Sequence, residues 1–258
     1  MRKSYFVIAL VVCAMATSAF GWGSLISSFR APGGGTYPNG VGWHSTWSTN
    51  LFVNTNTPDR CYRTSFTGSI VRSHTSPTTS TMGSAAGVIS GIGYYWVVSY
   101  NPRRIYRVGY NSGSVYGSFT APGSYPYGAA FRQVGSTYYL YYTDMSGRRL
   151  YRMNATTGSV YASYALAFSP GDLGYGDGYL WIVDNSSRRL RKCSVTGSTY
   201  DSFSLSAYGY PSGCAYDSGR NQVWVGINAP LHSVLRFTAH SGTSVKPASV
   251  GKIKAMYQ

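Results

Sequence analysis

Pairs of consecutive arginines are the residues of this sequence whose type and spacing could do chemistry. They occupy the same place in successive repeats of the chain, as Arg103 and Arg104, Arg148 and Arg149, and Arg188 and Arg189. An arginine guanidinium is always charged, and its planar fork of N–H donors fits phosphate, sulfate and carboxylate groups. Because equivalent turns of a repeat protein lie on one surface, the pairs predict a basic face that binds an acidic polymer.

Tyrosines in Pro- and Gly-rich loops are expected at the same face. Tyr125, Tyr127 and Tyr210 lie in such loops, and Tyr37 and Tyr208 stand in or beside them. A tyrosine ring offers an apolar surface for stacking while its hydroxyl stays hydrated. The six arginines, with Tyr125, Tyr127 and Tyr210, are therefore the predicted binding residues. The alternative interpretation is that the arginines are solvated turn residues, copied along with the repeat.

The acidic side chains argue against a metal site. The chain has seven acidic residues, all of them Asp, spread along the repeats, whereas a hard cation needs several carboxylates that converge. Asp144 and Asp184 end equivalent aromatic segments just before an Arg pair. We expect them to accept hydrogen bonds from turn amides or to pair with a neighbouring arginine. No metal and no other cofactor is predicted.

The segment that must position these residues is a repeat. Its marker, Gly-Ser-x-x-x-Ser-Phe, begins at Gly23 and returns in variant form at residues 68, 113, 158 and 197, with a decayed copy at 242. The starts lie 45 residues apart, except for one spacing of 39. Short strands separated by Gly, Pro and Asn at this period predict a single all-β domain, a β-propeller.

Each repeat contains four predicted strands. In the third repeat they cover residues 115–119, 129–131, 138–142 and 149–153. The third of these is aromatic and need not alternate with polar residues, because both faces of a blade pack against neighbouring blades. The strand nearest the axis consists of small residues, in the copies Gly40–Gly42, Gly87–Ile89, Gly128–Ala130, Leu173–Tyr175 and Gly213–Ala215.

Copies of the outer strand exceed the sets of inner strands by one. The surplus predicts that the first copy, residues 23–30, completes the last blade and closes the ring. Five blades, mostly four-stranded, are then the direct count. Six is the alternative, if residues 242–258 add a degenerate blade; otherwise that segment is a basic terminal strand or tail.

The order of motifs resembles that of a known group of propellers. The segments are Gly-Ser-Val-x-x-Ser-Phe at 113–119, Pro-Gly-x-x-Pro-x-Gly at 122–128, Arg-Arg-Leu-Tyr-Arg at 148–152 and Tyr-Leu-Trp-Ile-Val-Asp at 179–184. They resemble the repeats of the NHL, YWTD and streptogramin-lyase-like (Vgb) propellers over nearly all of residues 23–241. The resemblance implies the fold strongly and the activity weakly, because this architecture carries unrelated functions.

Catalysis of the kind found in that group finds few candidates in this sequence. The lyases and related lactonases rely on acidic metal ligands, with a His base in the lyases. No residue here matches those positions: there is no Glu, and His44, His74, His232 and His240 lie in four different local settings. No Gly-x-Ser-x-Gly nucleophile elbow is present either, and no catalytic residue is predicted.

The first residues have the features of a signal peptide rather than of a blade. Arg2 and Lys3 precede an apolar run of about a dozen residues, and small residues follow at a possible cleavage site near Gly21. The run is too short for a stable membrane span, although a retained anchor is the alternative. We expect residues 1–21 to be removed, the propeller to occupy 22–241, and the protein to be secreted or periplasmic.

Three cysteines remain beyond the predicted signal peptide: Cys61, Cys193 and Cys214. An odd number in an exported protein leaves at least one thiol free or paired between chains. Cys193 and Cys214 fall in consecutive repeats and are a possible bridge. The preferred interpretation is that all three are small, buried strand residues.

The charge of the chain is strongly positive. Its 22 Lys and Arg outnumber the seven Asp, for a net charge of +15, which falls to +13 without Arg2 and Lys3. We therefore predict an exported, non-catalytic binding or scaffold protein, with an Arg- and Tyr-lined face. Its expected partner is an anionic polysaccharide, lipopolysaccharide or other acidic polymer, or another protein. The alternative is a propeller enzyme of the lyase or lactonase type.

Overall fold

The computed structural model describes residues 22–47 and 49–239, and these form an all-β ring of short strands. Two 3₁₀ turns, Pro32–Gly34 and Ser45–Trp47, are the other regular elements of this part of the chain. The strands are β1 (Leu25–Arg30), β2 (Thr36–Gly42), β3 (Asn50–Thr57), β4 (Asp59–Ser65), β5 (Ile70–Thr75), β6 (Thr81–Ile89), β7 (Ile92–Ser99), β8 (Arg104–Gly109), β9 (Val115–Thr120), β10 (Pro126–Val134), β11 (Thr137–Asp144), β12 (Arg149–Asn154), β13 (Val160–Ala165), β14 (Pro170–Gly176), β15 (Tyr179–Asp184), β16 (Arg189–Cys193), β17 (Thr199–Ser204), β18 (Gly209–Asp217), β19 (Gln222–Pro230) and β20 (Ser233–Thr238).

Five four-stranded antiparallel sheets form the blades of a β-propeller. Blades I to IV take their strands in sequence, as β2–β5, β6–β9, β10–β13 and β14–β17, with the first strand of each nearest the axis. Blade V consists of β18, β19 and β20 with β1 as its outer strand. The prediction of five blades is confirmed. Closure by the N-terminal strand is also confirmed: β1 pairs antiparallel with β20, and Arg30 lies opposite Ser233.

The second strand of each blade forms most of the core. The β7 segment from Tyr94 to Ser99 is buried on both faces, as expected for a strand held between two neighbouring blades. Trp96 stacks on Phe131 of blade III at a centroid distance of 5.0 Å, and Trp181 stacks on Tyr216 of blade V at 4.9 Å. Each blade is therefore attached to the next by large aromatic contacts, which explains the aromatic strand of the repeat.

The glycine of the repeat marker is explained by contacts between blades. Gly23, Gly68, Gly113 and Gly158 all have a positive φ, a conformation that glycine adopts at little cost. A Cβ on Gly68 would collide with the ring of Phe29, and one on Gly158 with that of Phe119. The last residue of the marker, a Phe or His74, lies against the glycine of the next marker in four of the five contacts; Gly197 instead meets Leu166, just beyond the marker of blade III.

The same contact closes the ring. Phe203, which ends the marker of blade IV, lies against Gly23, where a Cβ would be only 2.6 Å from its ring. Trp22 packs edge-on to Phe203 at 4.6 Å. The first and last segments of the propeller are therefore joined by backbone pairing and by an aromatic contact.

The remaining sequence predictions divide between described and undescribed residues. Cys61, Cys193 and Cys214 are buried and free, so the Cys193–Cys214 bridge does not form. The predicted signal peptide (1–21) and the terminal strand or tail (242–258) lie outside the described residues. Within the described part, no helix has the length and hydropathy to cross a bilayer.

Candidate functional site at one mouth of the propeller axis

A buried aspartate closes the axis of the propeller. Asp172 lies on β14, with no exposed surface. Its Oδ2 accepts hydrogen bonds from the backbone N–H groups of Val41 at 3.1 Å and Cys214 at 3.0 Å, and its Oδ1 accepts one from Ala129 at 3.1 Å. One carboxyl group therefore links the inner strands of blades I, III, IV and V.

Glycines on the other inner strands make room for this carboxyl group. The positions equivalent to Asp172 are Gly40, Gly83, Gly128 and Gly213. A Cβ on Gly83 or Gly128 would collide with Asp172, and one on Gly40 would lie 2.7 Å from the backbone of Gly83. Four glycines and one aspartate thus occupy one level of the axis, where larger residues do not fit.

Two opposing effects act on the pKa of Asp172. Burial raises it well above its ordinary value, while the backbone N–H donors of Cys214, Val41, Ala129 and Leu173 act to lower it. Both oxygens are occupied by these donors, so the group holds the blades together and does not face a ligand. The cavity below it is only about 20 Å³, room for about one water.

A pocket opens on the axis above Asp172. It has a volume of about 340 Å³, and four of the five blades contribute to its walls. Its lining comes from the loops that lead into the inner strands and from the turns after the second strands: Tyr37, Tyr125, Tyr127, Met145, Asn185, Tyr210, Pro211, Asn228 and Ala229. We call it the axial pocket. The structure thus brings Tyr125, Tyr127 and Tyr210 together, whereas Tyr208 packs against Phe237 in the core.

The polar groups of the axial pocket are neutral. Burial raises the pKa of both Tyr127 and Tyr125, so their hydroxyls remain protonated and can donate hydrogen bonds. The amide of Asn228 donates to Oδ1 of Asn39 at 3.1 Å, which fixes its orientation. No carboxylate and no imidazole belongs to the lining, so the pocket is equipped for hydrogen bonding and stacking.

A row of tyrosine rings leads from the axial pocket to the rim. The ring centroids of Tyr127 and Tyr125 are 6.4 Å apart, and those of Tyr125 and Tyr100 are 4.5 Å apart. Tyr100 lines a second pocket of about 560 Å³, which we call the rim pocket. Its other residues are Asn101, Pro102, Arg103, Arg104, Thr120 and Ser124. We call the whole path from the axial pocket to the rim pocket the tyrosine track.

Asp144 and its turn hold the track in place. Oδ1 of Asp144 accepts a hydrogen bond from the backbone N–H of Tyr125 at 2.8 Å, and the backbone N–H of Met145 donates to the carbonyl of Tyr125 at 2.9 Å. Asp184, its equivalent in blade IV, accepts hydrogen bonds from the backbone N–H groups of Ser186 and Ser187. Both carboxylates thus organise turns at this face, as the sequence predicts.

Asp184 also makes an ion pair, but its partner is neither Arg188 nor Arg189. Its Oδ2 lies 2.7 Å from a guanidinium nitrogen of Arg191. Burial raises the pKa of Asp184, but the hydrogen bonds from Ser187, Ser186 and Arg191 outweigh that effect and lower it. Arg191 lies on β16, so its role could not be read from the Arg pair at residues 188 and 189.

The two arginines of each pair have different roles. The second arginine begins the third strand and bonds the outer-strand serine of its own blade: Arg104 reaches Ser118 at 2.8 Å, and Arg149 reaches Ser163 at 2.8 Å. Arg189 and Ser202 repeat this contact at 2.9 Å, as do Arg60 and Ser73 at 2.8 Å. This explains the last serine of the repeat marker, and it places these guanidinium groups along the blade rather than over the axis.

The first arginine of each pair lies in the turn itself. Arg148 and Arg188 have positive φ angles of 47° and 50°, a backbone conformation that is costly for residues other than glycine. The guanidinium of Arg188 lies 3.9 Å from the ring centre of Tyr210, a cation–π contact at the wall of the axial pocket. Arg103 donates to the carbonyl of Gly123 at 3.2 Å and lines the rim pocket.

Replacing Arg148 by glycine should raise the free energy of unfolding by about 0.5 kcal/mol, because glycine relieves the left-handed backbone at a modest entropic cost. Urea unfolding followed by tryptophan fluorescence measures the change. The matched control is Arg103→Gly, since Arg103 lacks a positive φ and should lose stability instead. Equal effects of the two substitutions would contradict the role given to the backbone of Arg148.

A metal-binding constellation is not found in the described part of the chain. Among those residues, no group of three or more His, Cys, Asp or Glu side chains could hold a metal ion. His232 lies edge-on to Tyr37 at 5.4 Å, and His44 is partly buried beside Trp47 and Phe131. Burial lowers the pKa of His44, which is therefore an uncharged packing residue near neutral pH.

The sequence did not single out Asp172. The signal was present, because aligned inner strands carry glycine at four equivalent positions and aspartate at the fifth. The motif alignment hides it in two blades, because it matches Gly87 instead of Gly83 in blade II and Leu173 instead of Asp172 in blade IV. Gly87 lies four residues further along β6, and the bulge between Thr81 and Ser84 displaces the register.

The fold and the site together define a class: a five-bladed β-propeller with a closed axis and an aromatic pocket at one mouth. Among solved structures, it is similar to a glutaminyl cyclase from Myxococcus xanthus, with a TM-score of 0.63 and 11% identity over 82% of this chain and 94% of that one. It also aligns with virginiamycin B lyase from Staphylococcus aureus, with a TM-score of 0.48 and 18% identity over 82% and 73% of the two chains.

A streptogramin B lyase aligns with a TM-score of 0.49 and 19% identity, over 82% of this chain and 69% of that one. No family model matches the sequence, and no curated protein does. At these identities the likeness is one of fold alone. The resemblance to streptogramin-lyase-like propellers is confirmed at that level by the five-bladed ring, and the activity of the chain has to be argued from its own residues.

Proposed function

We propose that this protein is an exported, non-catalytic binding protein for an acidic polysaccharide, which lies along the tyrosine track. The observation that carries the proposal is the continuity of the path. Aromatic rings run from the axial pocket through Tyr125 to Tyr100, with Arg188 beside one end and Arg103 at the other. An extended chain with anionic groups at intervals matches this sequence of rings and charges.

The chemistry of the lining favours a sugar. Tyrosine rings present flat apolar faces, and their hydroxyls with the amides of Asn185 and Asn228 present hydrogen-bonding groups. Pyranose rings combine an apolar face with a rim of hydroxyls, so they satisfy both kinds of contact. The hydroxyls of Tyr37, Tyr125 and Tyr210 have no hydrogen bond to other described residues and are available to a ligand.

The charge of the protein favours an acidic form of that sugar. A net charge of +15 for the whole chain attracts anionic polymers at long range. At short range, an arginine fork can bind a carboxylate through two parallel hydrogen bonds. Arg103 donates one N–H to the carbonyl oxygen of Gly123 and is exposed. Its other N–H donors can therefore bind a ligand.

The enzyme alternative receives no support from either pocket. A lyase or lactonase needs an acid–base pair or a bound metal at the reacting atoms. The residues lining the axial and rim pockets include no Asp, His or Cys. Asp172, the nearest acid on the axis, has both oxygens bonded to backbone N–H groups and is fully buried.

Polygalacturonate is expected to bind in a salt-dependent manner, whereas its carboxyl-reduced form binds at least tenfold more weakly. Release of counterions makes the affinity for a polyanion fall as salt rises. Calorimetry at two NaCl concentrations tests this. Arg103→Ser and Arg188→Ser should each weaken binding about fivefold, equivalent to about 1 kcal/mol, and reduce the salt slope by about one.

The control for charge alone is Arg72→Ser. Arg72 lies near the start of β5 and bonds the carbonyl of Asn111 at the opposite end of the blades, so its removal lowers the net charge equally without touching the track. Equal losses in all three variants would mean non-specific attraction. Equal binding of the charged and reduced polymers would replace the proposal with a neutral glycan partner.

A further inference from the structure

We infer that the axial pocket binds the terminal residue of the polysaccharide, while the tyrosine track holds the residues that follow it. The inference rests on the proposed function and adds a mode of recognition: the protein reads a chain end. It follows from two walls of the axial pocket: its floor is closed by the Asp172 level, and its side across the axis from the track is formed by the rings of Tyr37 and Tyr210.

The floor is closed by the Asp172 level. The backbones of the inner strands meet there, with Gly83 and Gly128 in direct contact with the carboxyl group. Above this floor lies a second hydrogen-bond network that supports it: Oγ of Ser212 lies 3.0 Å from the carbonyl oxygen of Pro38 and 3.0 Å from Oδ1 of Asn228. A polymer therefore cannot continue along the axis through the propeller.

The far wall is formed by blades V and I, which lie across the five-membered ring from blade III. Tyr210 and Tyr37 project there, 53% and 43% exposed, and each ring packs against a second side chain. Arg188 stacks on Tyr210 at 3.9 Å, and His232 packs edge-on against Tyr37 at 5.4 Å. These rings block a chain that enters from Tyr125 and would otherwise cross the mouth.

The backbone conformation of Tyr37 supports a functional role for its side chain in this wall. Its φ is +56°, and bulky residues adopt this conformation rarely because the side chain crowds the backbone. Such an outlier at a pocket indicates that the position of the side chain matters more than local stability. The preceding glycines, Gly33 to Gly35, allow the loop to present the ring at this angle.

The size of the pocket fits one end residue better than a run of chain. Its volume of about 340 Å³ lies at the lower end of the range of roughly 300–1,000 Å³ for small-molecule pockets. Arg188, held on Tyr210, is the charged group nearest this wall, so we assign it to the carboxylate of the terminal sugar. Arg103, beyond Tyr100, then serves a carboxylate further along the chain.

Binding stoichiometry tests the inference directly. Calorimetry with oligogalacturonates of about 6, 20 and 60 residues should give one protein bound per chain at every length, with a Kd per chain that changes less than threefold. A protein that binds internal residues would instead bind in numbers that grow with chain length. That result would overturn end recognition and leave the proposed function intact.

A pocket-filling variant provides a second readout. Met145→Trp should occupy the axial pocket and weaken binding of the short oligomer at least tenfold, while Val134→Trp, which places the same ring at an exposed position at the opposite end of blade III, should bind as the natural protein does. Circular dichroism confirms that both variants fold. Undiminished binding of the Trp variant would also overturn the inference, whereas failure of every chain length to bind at low salt would refute the proposed function itself.

Discussion

Asp172→Asn is expected to lower the free energy of unfolding by about 2 kcal/mol, because an amide has one acceptor oxygen where the carboxyl group has two, so a buried backbone N–H group then faces an NH2 group that cannot accept its hydrogen bond. The amide oxygen can still accept from Val41 and Cys214, which both donate to Oδ2, and the N–H of Ala129, which donates to Oδ1, then loses its acceptor. The substitution keeps the volume of the side chain, so the loss isolates hydrogen bonding from packing. Guanidinium unfolding followed by tryptophan fluorescence and circular dichroism measures it.

Two further substitutions sharpen this test. Asp172→Gly makes the position match Gly40, Gly83, Gly128 and Gly213, and it should destabilise at least as much, because sequence regularity does not replace the lost acceptors. Asp201→Asn makes the same change from carboxyl to amide on an exposed outer strand and should change stability by less than about 0.5 kcal/mol. A loss below about 1 kcal/mol for Asp172→Asn would contradict the role of this residue as the link between blades.

Tyr125→Ala is expected to weaken binding of the acidic polysaccharide about thirtyfold, equivalent to about 2 kcal/mol, the cost of truncating a central tyrosine at an interface. Tyr125 is the ring that joins the two pockets, since it contacts both Tyr100 and Tyr127. Its loss therefore interrupts the track at its centre. Calorimetry with polygalacturonate at low salt provides the measurement.

Tyr125→Phe and Tyr116→Ala are the matched controls. The phenylalanine keeps the ring and should retain most of the affinity, which separates stacking from hydrogen bonding. Tyr116 lies near the start of the outer strand β9, 54% exposed, at the opposite end of the blades from the track. Its truncation should leave binding unchanged. Unchanged binding by Tyr125→Ala would mean that the affinity comes from the arginines and not from the tyrosine track.

The fold could be predicted from the sequence because its determinants are local and repeated. The marker glycine has a positive φ, the last residue of the marker packs against the next marker glycine in four of the five contacts, and the last serine bonds the arginine of the third strand. These contacts recur in successive blades, so their spacing appears in the sequence as a period. The extra first copy was sufficient to predict closure of the ring at Gly23 and β1.

The candidate site could be predicted only in part. The arginine pairs and loop tyrosines were expected at one face, and the structure brings Tyr125, Tyr127 and Tyr210 to one pocket. The sequence could not separate Arg188, which lies over Tyr210, from Arg189, which bonds Ser202. Arg188 lies in the turn with a positive φ, whereas Arg189 begins β16, and which of the two faces the axis depends on the backbone conformation of the turn.

The sequence by itself determined the propeller and its basic, tyrosine-rich character, and it favoured five blades over six. Only the tertiary structure showed that the axis is closed. That closure depends on five inner strands, from five separate parts of the chain, meeting at one level, so that four glycines leave room for the carboxyl group of Asp172. No local pattern encodes such a meeting, because its partners are separated by up to 131 residues and become neighbours only when the ring is complete.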